Sequence, residues 1–289
     1  MRLGQGCVGV GRGPSIDAPT DAGATARVVG AGLAWLWAPA TALALVMLSG
    51  AQAVQARRRY GSSEPEVAQI DVTVVPAAAA SAGPPVEMAA FGDSAMAGVG
   101  VQESHDTLPV QLAQRAADGL GRSVHVRGYA RSGARTDDVL ARQLPLVGRR
   151  PDISVLLVGT NDVTHLALLR PLARRFGRLL DALVDLGAPV VVCSLPEFRA
   201  MRALPYPLRG AARGYGALVR TVQRRAGTRR PQVHLVDVCG AVGREFVRDR
   251  STMSADSFHP SAAGYARIAA AMTPAVLTAL VPTTPRGNR

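Results

Sequence analysis

From Val86 onward the chain alternates between two hydrophobic periods, and this restricts its fold more than any other feature. Short apolar runs at 86–91, 123–129, 152–158, 188–194 and 233–238 read as buried strands. Helical patterns lie between them. Leu169, Leu172, Phe176, Leu179, Leu183 and Leu186 recur at spacings of three and four, which places one apolar stripe on a helix. Residues 108–120, 136–147, 209–226 and 261–280 are the other expected helices. Strands alternating with helices predict a five-stranded parallel sheet covered on both faces, a three-layer α/β/α sandwich.

Before the sandwich, residues 28–54 form a run without a charge. The run exceeds the ~20 residues needed to cross a bilayer. It predicts one hydrophobic N-terminal helix, either a single-pass membrane anchor or a signal segment. Ala51-Gln52-Ala53 fits a small-x-small cleavage site, so cleavage after Ala53 gives a secreted domain. Arg57, Arg58 and Arg59 outnumber Arg12 and Arg27 across the run, which points the domain to the cytoplasm by a margin of one residue. Residues 1–27 have no hydrophobic period and read as a disordered tail, as do residues 282–289. The glycine pattern from Gly4 to Gly9 lacks a preceding strand and carries no dinucleotide expectation. Residues 55–86 have linker composition, with residues 70–75 as an isolated strand. The folded domain is expected at 87–281.

Composition adds little to function. The net charge is +12, yet the chain has no lysine, and every basic side chain is arginine. That pattern suits a codon bias better than a nucleic-acid surface, and no nucleic-acid motif accompanies it. Cys193 and Cys239 are expected as buried free thiols, and no Cys/His spacing suggests a metal.

Four short polar blocks each follow an expected strand or open the last helix. They are Gly92-Asp93-Ser94, Ser132-Gly133, Gly159-Thr160-Asn161-Asp162 and Asp256-Ser257-Phe258-His259-Pro260. Loops past the strand ends of α/β sheets are where such folds place their chemistry. A serine hydroxyl becomes an effective nucleophile when a base removes its proton during attack. His259 is a fitting base, because an imidazole can be neutral near pH 7. Asp256, three residues earlier, can fix its tautomer and stabilise the imidazolium.

In these blocks the chain resembles the SGNH (GDSL) family of serine hydrolases over residues 87–281, with Ser94, Gly133, Asn161 and His259 filling the four positions in order. The resemblance implies a flavodoxin-like sandwich and a Ser94–His259–Asp256 triad. It also implies an oxyanion hole from the Ser94 and Gly133 backbone N–H groups and the Asn161 amide. Ser257 departs from the pattern, since many members carry glycine there. The expected activity is hydrolysis of a carboxylic ester of a small molecule, lipid or glycan through an acyl-serine, with no cofactor or metal and a monomer as the default state. An O-acyltransferase using the same residues and a non-catalytic acyl- or glycan-binding domain are the alternatives. Asp93 reads as a turn-shaping residue, Asp162 and His165 as structural neighbours of Asn161. The stretch around Pro205-Tyr206-Pro207 reads as a surface loop or a flap over the site.

Overall fold

The computed structural model describes residues 42–60, 65, 69–78 and 83–281. The expected terminal tails, and residues 28–41 of the apolar run, lie outside these. The chain divides into two compact units, Met1–Val46 and Met47–Arg289. In the first, residues 42–46 are helical. In the second, helix α1 covers residues 47–60.

The sheet has six strands, β1 (Asp71–Val74), β2 (Val86–Gly92), β3 (Val124–Gly128), β4 (Ile153–Leu157), β5 (Val190–Cys193) and β6 (Val233–Val236), in the spatial order β1-β3-β2-β4-β5-β6. The five expected strands are parallel. β1 is added antiparallel on the edge of β3, so the strand expected near 70–75 is paired rather than isolated. Its outward Asp71 and Thr73 put polar side chains on a solvent-facing edge strand, while Val72 and Val74 pack inward. The span 55–86 thus contains the end of α1 and all of β1.

Side-chain alternation along the strands builds two separate cores. Met88, Ala90, Val155, Leu157, Val191 and Cys193 face one way, against α2 (Leu108–Leu120) and, near the C-terminus, α8 (Ala262–Leu280). Ala89, Phe91, Leu156, Val158, Val190 and Val192 face the other, against α5 (Leu169–Val184). Strands buried on both faces need continuous apolar sequence, and these have it. The expected stripe on α5 buries Leu172, Phe176, Leu179 and Leu183. α6 (Leu208–Gly227) lies beside α5, and α7 (Val238–Arg248) follows β6. α7 was not legible as a helix because Gly240 and Gly243 interrupt its pattern; Asp237 caps it by accepting from the Gly240 N–H at 3.0 Å. The helix expected over 136–147 is broken into α3 (Thr136–Asp138), a wide turn Val139–Gln143 and a tight turn Leu144–Leu146 that contains Pro145.

Among the described residues, α8 is the one helix long and apolar enough to cross a membrane by composition. Its Tyr265, Ile268, Ala269, Met272 and Val276 are buried in the core.

Read in chain order, the parallel strands have the arrangement 2-1-3-4-5, and the direction of winding reverses between β2 and β4. A crevice opens outside the carboxyl ends of strands at such a point. Ser94 follows β2 and Asn161 follows β4, so both blocks sit at its rim.

Candidate active site

The turn carrying Ser94 is held by its backbone. Gly92 ends β2 at φ +148°, and a Cβ there would lie 2.0 Å from the Leu157 carbonyl oxygen, so only glycine fits. The Asp93 N–H donates to that same carbonyl at 3.1 Å, tying the turn to β4. Gln143, fully buried, grips Gly92 from below. Its Oε1 accepts from the Gly92 N–H at 3.0 Å and its Nε2 donates to the Gly92 carbonyl at 2.8 Å. Gln223 does the same between neighbouring strand ends, accepting from the Leu195 N–H at 3.2 Å and donating to the Val158 carbonyl at 2.9 Å.

The last block builds its own geometry. Asp256 Oδ1 accepts from Ser254 Oγ at 2.7 Å, from the Phe258 N–H at 2.8 Å and from the His259 N–H at 2.9 Å. Its Oδ2 lies 2.6 Å from His259 Nδ1. The other ring nitrogen, Nε2, lies 3.0 Å from Ser94 Oγ, across 165 residues of sequence. Burial opposes the Asp256 charge, but the hydrogen bonds from His259, Ser254 and Phe258 outweigh it and hold the carboxyl well below the usual range. Ser257 takes φ +56°, the left-handed region that favours glycine, so this position keeps that backbone shape with a serine in it.

The middle two blocks meet each other, and the Gly133 loop is tied to the turn that precedes Ser94. Gly133 has φ +74°, and its loop is tied to β2 by the Arg131 N–H donating to the Gly92 carbonyl at 3.2 Å. Asn161 Nδ2 donates to the Ala134 carbonyl at 3.0 Å, which leaves its second N–H as a donor. Asp162 Oδ2 accepts from the Thr136 N–H at 3.0 Å and Oγ1 at 2.8 Å, so it fastens the Gly133 loop to α4 (Thr160–Thr164). All four blocks are therefore linked by hydrogen bonds. His165 is exposed and turns back to the Asn161 carbonyl at 2.7 Å. His105, His125 and Asp71 sit on the surface away from the site, with His125 paired to Asp71 at 3.0 Å.

Ser94 and His259 form part of the wall of a cavity of about 40 Å³. Cys193, Ala200, Met201, Val238, Phe246 and Phe258 are among the other lining residues, and the lining is largely apolar, with Asp93, Thr160, Ser194 and Glu197 as further polar members. Ala200 and Met201 come from the stretch around Pro205-Tyr206-Pro207, which also buries Phe198 and Leu204; it contributes wall and core rather than only surface. Burial, and then the charge of Asp93, push the Cys193 thiol far up, so it stays protonated and acts as an apolar side chain. Cys239 is also a free thiol, half-buried rather than buried. Asp93 is fully enclosed. Its Oδ1 accepts from the Ala95 N–H at 3.3 Å, as a turn-shaping residue does, while Oδ2 has no partner among the described residues. Burial raises this carboxyl to about 7 despite the Ala95 hydrogen bond. Among the described residues no group of three or more His, Cys, Asp or Glu is arranged to hold a metal ion.

Gln143, Gln223 and Phe258 support the site without having been singled out in the sequence. A lone glutamine carries no periodic signal; only its burial beside strand ends reveals the clamp.

The sequence comparisons agree on one family. A GDSL-like esterase of Mycobacterium tuberculosis is 31% identical over 188 residues, 63% of this chain and 58% of that protein. The chain thus spans a little over half the length of that relative. Among solved structures, a family 3 carbohydrate esterase of Clostridium thermocellum superposes with a TM-score of 0.53 at 21% identity, covering 69% of this chain and all of the other. An extracellular lipase from Streptomyces rimosus superposes at 0.50 with 22% identity, over 67% and 99% of the two chains. These likenesses show the shared sandwich. With the GDSL-like lipase/acylhydrolase model matching residues 90–267 across all four blocks, the chain belongs to that family.

Proposed function

We propose that the protein is a serine esterase that cleaves a carboxylic ester through an acyl-serine intermediate. The observation that carries this reading is the hydrogen-bonded line from Asp256 through His259 to Ser94, with links of 2.6 and 3.0 Å, ending at a largely apolar cavity. His259 Nε2 takes the hydroxyl proton as Ser94 Oγ bonds to the ester carbonyl carbon. The carbonyl electron pair moves onto oxygen, where the Ser94 and Gly133 N–H groups and the Asn161 amide meet it. On collapse the bond to the alcohol oxygen breaks, and the imidazolium gives that oxygen its proton. Water repeats the sequence. His259 takes a water proton, the acyl–Oγ bond breaks, Oγ regains a proton and the acid leaves. Asp256 remains ionised throughout, because its hydrogen bonds hold it so.

The largely apolar lining of the cavity beside Ser94 suits the acyl part of an ester. The ester chemistry in the names of the similar proteins, carbohydrate esterase and lipase, supports a small-molecule, glycan or lipid ester as the substrate class. Ser94→Ala is expected to lower p-nitrophenyl acetate hydrolysis by ~10⁴-fold or more with an unchanged melting curve. Turnover equal to wild type sinks the mechanism. Acylated product on added sugar acceptors, instead of free acid, moves the assignment to acyl transfer.

Residues 28–54 are proposed as the membrane tether of the hydrolase domain at 87–281. Their charge-free length supports this, together with the exposed Leu43, Leu45, Val46, Met47 and Leu48. Carbonate-resistant membrane association that disappears on deleting 28–54 is the expected result, and a soluble full-length protein refutes it.

A further inference from the structure

A third apolar cluster lies outside the two sheet faces. It joins Ala53, Ala56 and Tyr60 of α1 to Leu195, Phe198, Met201, Leu204 and Leu208, and to Phe258 of the catalytic loop. Tyr60 is 9% exposed, and its ring stacks on Phe258 with centroids 4.7 Å apart and planes 7° apart. Phe258 in turn meets the His259 ring edge-on at 4.9 Å and 75°. The phenylalanine is thus held between the tyrosine on one side and the imidazole on the other. Its own N–H donates to Asp256 Oδ1, so ring and backbone move as one piece. The loop needs such support, because Ser257 holds it at φ +56°. A residue in that region persists where surrounding contacts over-determine it.

α1 is fastened independently at its other end. Gln52 Nε2 donates to the Tyr206 carbonyl at 3.0 Å and its Oε1 accepts from the Leu208 N–H at 3.1 Å. These bonds fix the helix to the 206–208 segment without touching the catalytic loop.

We propose that Tyr60 is a positioning residue: by stacking on Phe258 it keeps His259 Nε2 in line with Ser94 Oγ. The inference rests on reading His259 as the base. It deepens that reading by extending the machinery into a segment that precedes the sandwich and that carries none of the four blocks.

The test uses the full-length protein with p-nitrophenyl acetate, reading kcat, KM and melting temperature for each variant. Tyr60→Ala is expected to lower kcat about tenfold with KM changed less than about twofold, since small misplacements of a base cost rate rather than binding. Tyr60→Phe keeps the stacked ring and retains kcat within about twofold. Gln52→Ala loosens the same helix and lowers the melting temperature, yet leaves kcat within about twofold. Wild-type kcat in Tyr60→Ala overturns the inference. So does a loss in Gln52→Ala as large as that in Tyr60→Ala, because the helix would then act only as general bracing. If Tyr60→Ala does not fold, Tyr60→Leu, which keeps bulk but not the stacked plane, takes its place; wild-type kcat there also overturns the inference. Failure of the underlying reading looks different: the wild-type protein then shows no Ser94-dependent turnover at all.

Discussion

The two halves of the hydrogen-bonded line from Asp256 through His259 to Ser94, the proposed catalytic line, are held in opposite ways. The Ser94 half is fastened to the sheet. Its turn hangs from β4 through the Leu157 carbonyl and from Gln143, and nearly every group in it is buried. The Asp256–His259 half is fastened largely to itself, with the Ala203 N–H donating to the Ser257 carbonyl at 3.2 Å as a link to a neighbouring segment. Four donors from three residues converge on one carboxylate within a loop from Ser254 to His259, which is flanked by a strand-like bridge between Met253 and Pro260. A nucleophile placed by a sheet inherits the precision of strand register. A side chain placed by a short loop depends on the loop's local hydrogen bonds and on whatever packs against it from outside, here Tyr60 against the loop's own Phe258.

The comparison breaks most visibly at Asp256. Asp256→Asn keeps the side chain's shape but removes the charge that fixes the His259 tautomer, so kcat is expected to fall by ~10⁴-fold at neutral pH. A loss under tenfold would mean that the loop aligns His259 without its carboxylate.

The two halves also carry opposite pH signatures. Asp93 is raised to about 7 by burial, whereas the unfolded chain releases the same proton near 4. Its contribution is fully favourable below pH 4 and is lost as pH rises to 7, on the order of 4 kcal/mol in total. Asp256 is depressed, so its contribution is present above pH 4 and lost as pH falls further. Melting temperature followed from pH 3 to 8 is therefore expected to pass through a maximum near pH 4 from these two groups. Asp93→Asn removes the fall between pH 4 and 7 and leaves the acid limb. An unchanged alkaline slope in that variant refutes the assignment to Asp93.

Gln143→Ala sharpens the contrast on the sheet side. It leaves the Gly92 N–H buried without a partner and is expected to cost about 2–3 kcal/mol in denaturant unfolding. A cost below about 0.5 kcal/mol would show that the turn does not depend on the clamp. The smallest effect belongs to the loop side. Ser257→Gly relieves the left-handed φ and is expected to stabilise by about 1 kcal/mol with kcat unchanged. Destabilisation would mean that the loop's own contacts favour a side chain there.

The sandwich was legible because its strands are buried on both faces and its α5 stripe repeats at helical spacing. α7 and the broken helix after Thr136 were not, since glycines and Pro145 blur the period. The candidates Ser94, Gly133, Asn161, Asp256 and His259 were picked out in the sequence from short polar blocks, and the structure links these blocks by hydrogen bonds.

The sequence alone determined the layering of the domain, the order of its parallel strands' hydrophobic runs and the residues at their ends. Those are written in local periodicity and spacing, which a chain carries before it folds. Tertiary structure alone decided that Ser94 and His259 meet at 3.0 Å, that a largely apolar cavity lies beside them, that Gln143 and Gln223 clamp strand ends, and that Tyr60 stacks on Phe258. Each of these joins residues far apart in the chain, and a pairing across such distances has no period for a sequence to display.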